Sequence, residues 1–247
     1  MHKYAPEHAK DFNETAITTY DKVAEKIREY SKEKVVVAKS MSTVIQDYYN
    51  ENKDFFKDPN RKFVFIIRDL GDIISSFSSR FSSEKYQHQL NDIDSLKRFL
   101  NIKALSDFFK IAKENAKDRT YLMRAEDLYN KPQATLRAFC KTIGAKPKDD
   151  MHKFPAYGKD FMQKNKWEEN RTEETARHWS GTAIESSEIG KPTSYDKVTE
   201  KDKNGIYPPT FAEQTDDNKR KVLFELYNQM LPYYVEMLND KKHYIKS

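Results

Sequence analysis

Five consecutive apolar residues, Phe63-Val64-Phe65-Ile66-Ile67, run directly into Arg68-Asp69-Leu70-Gly71-Asp72 and then into Ile73-Ile74-Ser75-Ser76-Phe77. A short, β-branched and aromatic run without alternation predicts a strand buried on both faces. The residues after Gly71 predict a helix over 72–81. A buried strand that turns within four residues into a helix is the opening of a βαβ unit. Such units place ligand sites beyond the carboxyl ends of the strands.

The rest of the chain supplies partners for that unit. Val35-Val36-Val37-Ala38 predicts a second buried strand, and Tyr121-Leu122-Met123 a third. The breaker Asp58-Pro59-Asn60 precedes the central run. Helical spacing is expected over 19–30, where Tyr20, Val23, Ala24, Ile27 and Tyr30 share one face, and over 41–50 and 92–116. Pro132 opens a further helix that ends at Ile143, with Gly144 at the position after its end. Beyond residue 124 no strand is expected. Residues 172–186 and 216–240 read as helices, the second kinked or divided by Pro232. The expected fold is α/β: a parallel sheet of three or more strands flanked by helices, P-loop-like, with a helical C-terminal third, in a single domain over 1–247.

Composition narrows the function classes. The 44 basic and 39 acidic residues leave a net charge of +5, with no run of like charge that would mark a nucleic-acid arm. That balance suits a pocket for an anionic small molecule and suits a soluble surface equally. The single cysteine, Cys140, excludes an intrachain disulfide and reads as a packed helix thiol. The first residues lack the apolar core of a signal peptide. No stretch reaches the ~18 apolar residues of a membrane span, so a cytoplasmic, soluble protein without membrane or nucleic-acid partners is expected.

At the carboxyl end of the central strand, Arg68 and the hydroxyl of Ser76 would converge. An arginine and a hydroxyl can grip a phosphate there. Alternatively, Arg68 pairs with Asp69 or Asp72, and Ser76 is a small residue against a neighbouring helix.

This segment resembles the 3′-phosphate-binding element of sulfotransferases, in which a strand, an Arg, a short turn and a Ser on the next helix hold 3′-phosphoadenosine 5′-phosphosulfate. The order of other segments is similar: Val35-Val36-Val37-Ala38-Lys39-Ser40-Met41, then Ala125-Glu126-Asp127-Leu128 with Pro132 and Leu136 to Gly144, then Trp179 to Ser187. The resemblance is greatest to the sulfotransferase-like proteins of fungi, bacteria and some animals. It implies that Arg68 and Ser76 bind the donor's 3′-phosphate, that Lys39 stabilises charge on the bridging oxygen, and that the acceptor is a small molecule with a hydroxyl or amine. The chain departs from the family pattern at three places: Leu70 stands for a Pro, Met41 for a His, and Ala125 for a Tyr.

The family also begins with a strand and a Gly-containing loop that wraps the 5′-phosphosulfate. None of the six glycines fits such a loop, and Tyr4-Ala5-Pro6-Glu7 already corresponds to a position beyond it. An N-terminally shortened sulfotransferase is therefore one expectation, and a non-catalytic binding or scaffold protein derived from one is the other. A P-loop small-molecule kinase is a third. His178, Trp167, Trp179, Tyr233 and Tyr234 are weighed as site residues, with packing as the simpler role. Lys159, Lys164, Lys166 and Arg171 form a basic loop that would either cover the donor or be solvated. The acidic neighbours Glu126 and Asp127 read as capping or ion-pairing groups.

Overall fold

The computed structural model describes residues 53–81, 93–153, 208–211 and 215–246, with isolated positions 25, 29, 35, 37, 49–50 and 189. The chain divides into two compact units, Met1–Lys39 with Phe139–Gly190, and Ser40–Ala138 with Lys191–Ser247. The second unit contains the sheet.

Strand β1 (Phe63–Ile67) pairs in parallel with β2 (Thr120–Arg124), in a register that sets Phe63 beside Thr120 and Ile67 beside Arg124. Between them lie α1 (Leu70–Phe81), α2 (Ile93–Leu100) and α3 (Ile102–Asn115). After β2 come α4 (Ala125–Asn130) and α5 (Pro132–Ile143), and later the long α6 (Asp217–Asn239). The described protein is thus mixed α/β with parallel pairing. Its sheet has two strands, extended by a single parallel bridge between Leu122 and Tyr244.

An aromatic cluster holds β1 against α3. Phe56 meets Phe63 at 4.6 Å between ring centroids, and Phe65 meets Phe109 edge-on at 5.2 Å. Phe108 lies 5.8 Å from Phe65. These rings are nearly inaccessible to solvent, and burying each contributes about 1.5–3 kcal/mol. On α6 the buried stripe Leu223, Leu226, Tyr227, Met230, Tyr234, Met237 and Leu238 follows three- and four-residue steps, and it packs on α3, α1 and α2. The loop before β1 is tied down by Arg119. Its guanidinium donates to the carbonyls of Phe56, Asp58 and Arg61.

Four expectations change. First, β1 buries Phe63, Phe65 and Ile67, but Ile66 is 53% exposed, so the strand is covered on one face only. An all-apolar run cannot announce which face is open. Second, Val35 and Val37 lie in no strand, and Val37 is 63% exposed. Val36 and Ala38 lie outside the described residues. Third, the helical pattern over 92–116 is two helices. Asn101 ends α2 and caps α3, its side chain accepting the Ala104 N–H at 2.9 Å. Fourth, of the kink or division expected at Pro232, division does not occur: α6 runs unbroken across it.

The helix opened by Pro132 ends at Ile143. Gly144 follows with φ of 81°, a left-handed conformation that a side chain would disfavour. Cys140, on α5, is half-buried with its sulfur 3.7 Å from that of Met151.

Candidate functional site

The carboxyl ends of β1 and β2 lie side by side, because the register pairs Ile67 with Arg124. Arg68 follows β1, is half-buried, and stands at that edge as expected. Asp69 then turns the chain into α1. Its carboxylate accepts the Gly71 N–H at 3.0 Å, and its own N–H donates to Glu126 Oε1 at 2.7 Å. Glu126 reaches this turn from α4, and its other oxygen lies 3.3 Å from Arg124 Nε. The acidic neighbours therefore do different work. Glu126 is buried and ties β2 to the β1–α1 turn, whereas the backbone carbonyl of Asp127 accepts from the Lys131 N–H at the end of α4 and from Thr135 Oγ1 of α5.

Three buried carboxylates, Asp69, Asp72 and Glu126, line this edge. Arg124 sits among them. Burial works to lower its pKa, but the Glu126 carboxylate and neighbouring acidic groups outweigh that and hold it charged. Tyr234 projects from α6 into the same neighbourhood. Burial first, and the negative charge of Glu126 and Asp69 second, push its phenol far above its ordinary value. Its hydroxyl finds no hydrogen-bond partner among the described residues. Tyr244 is pushed up to about 12, again chiefly by burial.

Along α1 the serines separate by face. Ser75 donates to the Gly71 carbonyl at 2.7 Å and accepts the Thr210 N–H at 2.8 Å. Ser78 bonds Thr215 through their hydroxyls at 2.9 Å. These two serines fasten α1 to residues 210 and 215, a role that spacing within α1 gave no sign of. Ser76 lies off that seam. It is half-buried and makes no hydrogen bond among the described residues.

Of the other candidates, Tyr233 is half-buried on α6 with Lys103 Nζ 5.6 Å from its ring centroid. Lys39, Met41, the basic loop from Lys159 to Arg171, Trp167, His178 and Trp179 lie outside the described residues. No group of three His, Cys, Asp or Glu among the described residues is arranged to hold a metal, and no described helix is long and apolar enough to cross a membrane.

Comparison of the chain with protein-family models, with curated proteins and with solved structures found no match.

Proposed function

We propose that the protein binds the 3′-phosphate of a nucleotide donor of sulfuryl groups at the carboxyl end of β1, between Arg68 and Ser76. One observation carries the reading. Arg68 sits at the carboxyl edge of a parallel strand, and Ser76, eight residues on, makes no hydrogen bond among the described residues while Ser75 and Ser78 are spent on the protein. An arginine supplies charge and paired donors to a phosphate, and a hydroxyl adds a neutral one. In this reading the donor is 3′-phosphoadenosine 5′-phosphosulfate, and the acceptor is a small molecule with a hydroxyl or amine. Lys39 is the candidate for stabilising the bridging oxygen.

A second reading is a non-catalytic binding or scaffold protein of the same descent. It is favoured by the buried carboxylates Asp69, Asp72 and Glu126, which oppose a polyanion near Arg68.

Calorimetric titration with 3′,5′-adenosine bisphosphate, beside 5′-AMP, tests the site. Tighter binding of the bisphosphate is expected. Arg68→Ala should abolish it, and Ser76→Ala should weaken it by about 1–3 kcal/mol. Equal binding by the wild type and Arg68→Ala would remove the assignment.

A further inference from the structure

A second surface carries a ligand argument of its own, independent of the reading above. Between residues 208–211 and the start of α6 lies a shallow, open groove of about 410 Å³, lined by Phe211, Arg220, Lys221, Phe224, Glu225 and Asn228. One wall is a helix face: 220, 221, 224, 225 and 228 recur at the steps that align side chains along α6. The other wall is Phe211. Its segment is fixed, because the preceding Thr210 bonds Ser75 of α1 through its N–H.

Two features of this groove go unexplained by folding. Phe224 is 48% exposed, although the neighbouring positions Leu223, Leu226 and Tyr227 are buried in the core. Its ring lies nearly parallel to that of Tyr227, at 26° and 6.0 Å between centroids, which leaves its other face to the groove. The second feature is charge. Arg220 spends Nε on the Thr215 carbonyl at 2.7 Å, which fixes the guanidinium in place, and among the described residues it faces no carboxylate within ion-pair distance. Lys221 makes no ion pair among the described residues. The one acid among the described residues of the wall, Glu225, accepts from Gln229 Nε2 at 2.8 Å, a neutral partner. Among the described lining residues, two cations thus face one carboxylate.

We infer that this groove binds a planar aromatic oxyanion, with the ring between Phe211 and Phe224 and the anionic group on Arg220 and Lys221. Ring stacking with an adjacent fixed guanidinium selects for both halves of such a ligand at once. A neutral ring forfeits the charge, and a bare anion forfeits the stacking.

Calorimetric titration of the whole chain with 1-naphthyl phosphate, 1-naphthol and inorganic phosphate tests this. Saturable binding of 1-naphthyl phosphate is expected, at least roughly tenfold tighter than either fragment. Phe224 and Lys221 are exposed, so Phe224→Ala and Lys221→Gln should keep the fold, as circular dichroism would verify. The first should weaken binding about tenfold and the second about fivefold. Arg68→Ala should leave it unchanged. The inference is overturned if 1-naphthol or inorganic phosphate binds as tightly as the ester, if both groove variants bind like the wild type, or if Arg68→Ala alone removes binding.

Discussion

A single hydroxyl sets one of the sharper tests of this structure. Tyr234 is fully buried, and its oxygen has no hydrogen-bond partner among the described residues. Leaving a buried polar group unsatisfied costs about 1–3 kcal/mol. Tyr234→Phe keeps the ring and removes the cost, so its urea midpoint should rise, by an amount equivalent to roughly 1 kcal/mol. A fall of that size would mean that the hydroxyl holds a water or another group. The pH dependence follows from the same burial. The folded phenol titrates above its ordinary value of 10.0, so its contribution is complete below pH 10. As pH rises beyond that, the unfolded chain loses the proton first, and the folded state loses stability. Denaturation series at pH 9 and 11 should show a larger loss in the wild type than in Tyr234→Phe.

At the scale of elements, α3 depends on its cap. Asn101 takes up the Ala104 N–H, one of the donors that a helix start leaves over. Asn101→Ala should lower stability by about 1 kcal/mol, read as a lower urea midpoint with an unchanged slope. This cap also shows why part of the fold is hidden in the sequence. Leu96, Leu100, Ala104 and Phe108 keep a four-residue step straight through Asn101, so the apolar pattern reports one helix where two exist. The strand at 63–67 and the helix between Pro132 and Gly144 were legible, because an uninterrupted apolar run, a proline and a glycine each act locally. The position of Arg68 followed from the end of that strand. The division of labour among Ser75, Ser76 and Ser78 did not, since it is set by Thr210 and Thr215, some 135 residues away. The acid-lined edge was half legible. Asp69 and Asp72 lie within four residues of Arg68 in sequence, but Glu126 arrives there only through the parallel register of β2.

At the scale of the molecule, the feature that closes the sheet comes from residues 240–246. Leu122, fully buried in β2, donates its N–H to the His243 carbonyl and accepts the Ile245 N–H, both at 2.8 Å. Asp240 anchors this segment. Its carboxylate accepts from Lys113 of α3 at 2.7 Å and lies 2.6 Å from His243 Nδ1. Burial opposes its charge, but these two bonds prevail and hold its pKa below the usual carboxylate range. Ending the chain after Asp240 would strip two backbone bonds from β2 and bare its outer edge. A net hydrogen bond is worth about 1 kcal/mol, and lost packing of His243 and Tyr244 adds to it, so a loss of roughly 2–4 kcal/mol at pH 7 is expected. The penalty should shrink in acid. A carboxylate with a depressed folded pKa contributes above its unfolded value and loses that contribution as pH falls through the folded one. As pH falls from about 4 through the lower folded value, the full chain therefore progressively loses the contribution of the Asp240–His243 pair that the shortened chain already lacks. Urea midpoints of the two chains at pH 7 and pH 3 measure both effects. A shortened chain as stable as the full one at pH 7 would show that the pairing beside β2 contributes nothing to the fold. A penalty that stays constant into acid would place its origin in the backbone bonds and not in Asp240.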